Sequence, residues 1–154
     1  MLNSYKTLID SLEIKEQPGT YTQIRISSII SIKAYAGKRL DDEMPALILT
    51  ADESSLSKIS RWPDSIGFKI TVEKTPKNTR IYLQLEDKSY EEYFYALCEN
   101  ILTHMVAASE EREAIIIFHN RLVSWQNFFK EEKFDGLSND AQTGLFGELI
   151  VLRD

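Results

Sequence analysis

Two periods of apolar residues divide this chain, and the change from one to the other falls near Ser89. Ahead of the first, Leu2, Tyr5, Leu8, Ile9 and Leu12 recur at three- and four-residue steps and predict a short amphipathic helix, ended by Pro18-Gly19. Residues 22–32 then turn rich in β-branched side chains, with Ile24 and Ile26 set between polar neighbours as a half-buried strand requires. Further strands are predicted over 33–39, 46–50, 68–74 and 79–85. Thr75-Pro76-Lys77-Asn78 joins the last two, and its proline and asparagine suit the turn of a hairpin. Between the middle strands, residues 53–61 predict a short helix with Leu56 and Ile59 facing inward, broken by Trp62-Pro63-Asp64.

After Ser89 the spacing becomes helical. Ser89 followed three residues later by Glu92 is the pattern of a capping box, and Tyr93, Phe94, Leu97, Ile101, Met105 and Ala108 form one apolar face behind it. A second helix is predicted over about 110–130, with Phe118, Leu122, Trp125 and Phe129 on its stripe, and Phe134-Asp135-Gly136 breaks it. Asn139, with Gln142 three residues on, suits the start of a final helix whose Leu145, Leu149 and Leu152 share one face. Gly144 and Gly147 inside it each cost roughly 1 kcal/mol relative to alanine, so another backbone or a ligand is expected to come close there. Glu148, in the same turn, is either a solvated flank residue or a carboxylate aimed at a site. No glycine, proline or polar tail follows Leu152, and the chain is therefore expected to be the N-terminal portion of something longer.

Strands first and helices later predict an α+β fold rather than an alternating βαβ one. It consists of an antiparallel, β-rich N-terminal region followed by two to three helices. The expected division is a β-rich domain with its short helix over 1–88, a helical pair over 89–135, and the first helix of a truncated core over 136–154.

Composition narrows the class. The 154 residues suffice for one domain with a sizeable core, and the 43% hydrophobic and 27% charged fractions are those of a folded globular protein. Cys98 is the one cysteine, which excludes an internal disulfide framework and suits a reducing compartment. The N-terminus lacks a secretory pattern, and apolar runs such as residues 114–118 are far too short to cross a bilayer, so a cytoplasmic location is expected. A formal net charge of −6 argues against a non-specific sleeve for nucleic acid. Lys33, Lys38 and Arg39 flank Tyr35 and Gly37 in a way that could touch nucleic acid, but Asp41-Asp42-Glu43 follows at once, and protection of an edge strand by lysine is the favoured reading. Glu110-Glu111-Arg112-Glu113 reads as a solvated helix start that suits the dipole. His104 and His119 lack a second histidine or cysteine at ligand spacing and read as structural or surface residues, and Cys98 as a buried small one. Neither a phosphate-binding glycine loop nor Gly-X-Ser-X-Gly occurs.

The run Asp140-Ala141-Gln142-Thr143-Gly144-Leu145-Phe146-Gly147-Glu148-Leu149, preceded by Phe118-His119-Asn120-Arg121-Leu122 and Trp125, resembles the PD-(D/E)XK family of bacterial proteins. The resemblance implies a β-rich N-terminal region leading into a restriction-endonuclease-like core, in proteins of restriction-modification and phage-defence systems. It carries over one residue: Glu148 matches the helix carboxylate that serves such nuclease folds as a catalytic, metal-binding group. An Asp and a Glu-X-Lys would follow after residue 154. Mg²⁺, a hard cation that takes several oxygens, is then the implied cofactor of the full-length parent, with none expected in this chain alone. DNA is the implied partner of that parent, and a homodimer or defence-system proteins are further candidates. The alternative is an interaction or dimerisation module with no hydrolytic role.

Overall fold

A computed structural model describes residues 5–14, 19–63 and 67–131. Helix α1 (Tyr5–Ser11) is followed by strands β1 (Tyr21–Arg25), β2 (Lys33–Arg39), β3 (Pro45–Ala51), β4 (Phe68–Lys74) and β5 (Thr79–Leu85), then by helices α2 (Glu91–Met105) and α3 (Glu111–Glu131). The strands form one antiparallel sheet in the order β1-β2-β3-β5-β4. An α+β fold with the sheet first and the helices after it is what the two periods predict.

Alternation fixes which side of the sheet is covered. Ala34 and Ala36 of β2 lie opposite Leu49 and Leu47 of β3, and these lie opposite Ile81 and Leu83 of β5, so one face is apolar from strand to strand. All six are buried in the main core together with Tyr5 and Ile9 of α1, Phe94, Leu97 and Ile101 of α2, and Phe118 and Trp125 of α3. Sheet and helices thus share one continuous cluster. Within it Asn100 is buried and accepts a hydrogen bond from Arg121 Nε at 2.8 Å, which links α2 to α3.

Four local expectations are corrected. The strand predicted over 22–32 ends at Arg25, because Ser27 and Ser28 turn the chain out of the sheet. Ile26, Ile29 and Ile32 then plug the core from a loop, and Arg25 Nη2 donates to the Ile29 and Ile32 carbonyls at 3.4 Å. The helix expected over 53–61 is only a 3-10 turn, Glu53–Leu56. The capping box at Ser89 does not form: Asp87 accepts from the Ser89 backbone N–H at 3.0 Å and caps a 3-10 turn at Lys88–Tyr90 ahead of α2. Lastly, the acidic start of α3 is more than solvated. Glu113 accepts from the Ser109 N–H at 2.7 Å, and Glu111 binds the segment that follows β3.

The turn at Thr75-Pro76-Lys77-Asn78 closes as expected, with Thr75 N–H donating to the Asn78 carbonyl at 2.8 Å. Leu56 and Ile59 pack against the core as predicted.

Candidate functional site

The other face of the sheet is covered by no described element, and its side chains follow from the same alternation. Tyr21, Gln23 and Arg25 point to it from β1, Lys33, Tyr35, Gly37 and Arg39 from β2, and Arg80, Tyr82 and Gln84 from β5. Edge strand β4 adds Lys69, Thr71 and Glu73. Cations and tyrosines therefore occupy a surface whose reverse is apolar at its centre.

The surface is concave where a cleft opens between β1 and the β4–β5 hairpin. Strands β1 and β5 stand three places apart, roughly 14 Å in a flat sheet. Even so, the Tyr21 and Tyr82 rings stack with centroids 5.0 Å apart and planes at 18°. Tyr21 Oη donates to Gln84 Oε1 at 2.7 Å, and Arg80 Nη2 donates to Gln23 Oε1 at 2.8 Å, so two further pairs bridge the same gap. Sheet twist and the reach of these long side chains together close the gap. Small residues make room for this. A Cβ on Gly37 would stand 2.7 Å from Ile48 Cδ1 and 3.3 Å from the Thr22 carbonyl oxygen, and Ala46 is the neighbour of Gly37 on β3. Ala46, Ile48 and Tyr82 form a second small cluster here, packed by Tyr21 and Tyr35.

Beside the stacked rings lies a cleft of about 500 Å³, lined on one wall by residues 19–23 and on the other by Glu73, Arg80 and Tyr82. Arg80 lies over the Tyr82 ring at 5.3 Å, and Arg25 over the Tyr35 ring at 5.9 Å. Desolvation raises the pKa of both Tyr21 and Tyr82 above that of a free tyrosine, so both stay neutral donors at physiological pH. Arg39 is spoken for: it pairs with Asp42 at 2.6 Å and with Glu86 at 3.2 Å. The arrangement can stack, donate hydrogen bonds and attract anions.

The residues singled out in the sequence go to different places. Lys33, Tyr35 and Arg39 share the concave face, whereas Lys38 points to the helix side and its Nζ donates to the Leu12 carbonyl at 3.1 Å. Strand β2 is interior, between β1 and β3, so its lysines do not guard an edge, and that reading is corrected. Asp41-Asp42-Glu43 neutralises Arg39 through Asp42 but leaves the other cations of the face alone. His104 Nδ1 meets the Asn100 carbonyl at 2.8 Å, and His119 Nε2 meets the Arg61 carbonyl at 2.9 Å, so each imidazole is tied to backbone. Cys98 is fully buried, and burial pushes its thiol well up in pKa.

Glu148, with Gly144, Gly147 and the leucines of the final helix, lies outside the described residues. Among the described residues no group of three or more His, Cys, Asp or Glu side chains is placed to hold a metal ion. Among them, too, no helix is long and apolar enough to cross a membrane.

Tyr21, Gln23, Glu73, Arg80 and Tyr82 escaped the sequence reading. Their signal was present in the off-beat positions: Arg80, Tyr82 and Gln84 alternate with Ile81, Leu83 and Leu85. A strand whose second face carries an arginine, a tyrosine and a glutamine is built for contact, not only for solvation.

Compared with known proteins, the chain matches over residues 5–154 the family model described as "Putative PD-(D/E)XK family member, (DUF4420)". No curated protein and no solved structure matches it.

Proposed function

Because the chain belongs to this PD-(D/E)XK family, we propose that it is the N-terminal portion of a metal-dependent DNA endonuclease of a bacterial restriction or phage-defence system. The observation that carries this reading is the span of the family match, which takes in the sheet, the helices and Glu148 together. In this reading residues 1–135 are a recognition or scaffold region and Glu148 is one carboxylate of the cutting site. A divalent cation bound there would activate water and neutralise charge developing on the phosphate. Glu148 is the residue of this chain assigned to hold that ion. One glutamate cannot hold the ion, activate the water and stabilise the leaving oxygen by itself, so the chain alone is proposed to be inert and the remaining groups to come from the full-length parent.

The concave face agrees with the recognition half of this reading. Its tyrosines and arginines suit a polyanion with planar groups, the chemistry that nucleic acid presents.

The test is cleavage of plasmid DNA by the full-length parent with Mg²⁺ or Mn²⁺, beside a Glu148→Ala variant of matching circular dichroism. Cleavage by the wild type that falls at least a hundredfold in the variant is expected. Equal cleavage by both removes Glu148 from the site, and no cleavage with any metal overturns the endonuclease reading.

A further inference from the structure

The concave face carries charge out of proportion to the chain. Arg25, Lys33, Lys69 and Arg80 stand on it against one strand carboxylate, Glu73, in a protein of formal net charge −6. Lys33 and Lys69 are exposed, so their charge is available to a ligand. An anionic partner is the complement of this surface.

The rings say which anion. Two of the four cations lie over tyrosine rings, Arg25 over Tyr35 and Arg80 over Tyr82. Bare lysines would suit any polyanion; a guanidinium beside an aromatic face suits one that alternates phosphates with flat bases. The cleft between β1 and the β4–β5 hairpin, about 500 Å³, can accept a nucleotide unit. Arg80 there supplies donors for a phosphate, while Gln23 and Glu73 supply acceptors for an N–H on the edge of a base.

The shape selects the strandedness. Duplex bases are read by a helix or ribbon that projects into a groove, whereas this surface offers a cleft between two strand walls and no projecting element. Only bases that can turn out of a stack reach it. We propose that the concave sheet face binds single-stranded nucleic acid, with phosphates on Arg25, Lys33, Lys69 and Arg80 and a base on the half-buried Tyr35. The binding is argued from the face alone. Its purpose, holding an unpaired stretch near a cutting site, rests on the endonuclease reading.

The experiment is a fluorescence-anisotropy titration of a labelled oligothymidylate of about twelve nucleotides, a length in the range that such surfaces cover. Low salt favours the contact, and the affinity is expected to fall steeply as salt rises. Lys33→Glu with Lys69→Glu, both at exposed positions, should weaken binding at least tenfold, and Arg112→Glu on α3 should leave it unchanged. Tyr35→Phe should keep the affinity while Tyr35→Ala lowers it about tenfold, which separates stacking from charge. No binding at low salt overturns the proposal. Equal losses in the Arg112→Glu and face variants, or tighter binding of the matching duplex, overturn it too. If the full-length parent still cleaves DNA in a Glu148-dependent way while the face binds nothing, this inference fails and the endonuclease reading stands.

Discussion

Glu111, at the start of α3, accepts a hydrogen bond from the backbone N–H of Asp52 at 2.8 Å, fifty-nine positions earlier in the chain. The same oxygen accepts from the Ser55 hydroxyl at 2.7 Å. One carboxylate thereby fixes the exit of β3 and the 3-10 turn after it onto the third helix, where β-branched and helical parts of the chain meet.

Glu111→Ala is therefore expected to lower the unfolding free energy by about 1.5–3 kcal/mol, the net worth of a hydrogen bond to a charged group. Glu111→Gln keeps an amide oxygen at the same position and should recover most of the loss. Urea denaturation midpoints of the three proteins decide the matter.

Gly37 is required by close approach. Adding a methyl group there forces Ile48 Cδ1 from a fully buried position and crowds the Thr22 carbonyl, so Gly37→Ala should cost about 1–3 kcal/mol. Ile48→Val removes the clashing atom. In the double variant the two losses should sum to less than their separate values, and a double-mutant cycle by chemical denaturation reads the coupling. Simple additivity would place the strain of Gly37→Ala elsewhere.

Acid should weaken the fold partly through the loop between β2 and β3. The Arg39 guanidinium holds the Asp42 carboxyl below the ordinary aspartate range, helped by the Met44 N–H. A lowered folded pKa means that the stabilisation is complete above the unfolded value of about 3.9 and is lost as pH falls through the folded one. Denaturation midpoints measured downward from about pH 5 should drop in the wild type, and Arg39→Gln should flatten that drop.

What could be read from the residues alone follows the range of each cause. β2, β4 and β5 were legible to the residue, because alternation and the Thr75–Asn78 turn are local signals. Residues 26–32 were misread for the opposite reason. Ile26, Ile29 and Ile32 look β-like in composition, but their burial depends on helices that arrive much later in the chain. The face itself was half visible in Lys33, Tyr35 and Arg39, while the approach of Tyr21 to Tyr82 spans two intervening strands whose order no local signal gives. Edge protection by lysine failed because strand order is not written in any one strand.

The two walls of the cleft come from opposite margins of the sheet, Tyr21 and Gln23 from β1, Glu73 from β4 with Arg80 and Tyr82 of β5 beside it. Those margins share no backbone ladder. A molecule lodged between them would tie together two strands that share no backbone hydrogen bonds, so by linkage its binding would also slow the opening of the first strand.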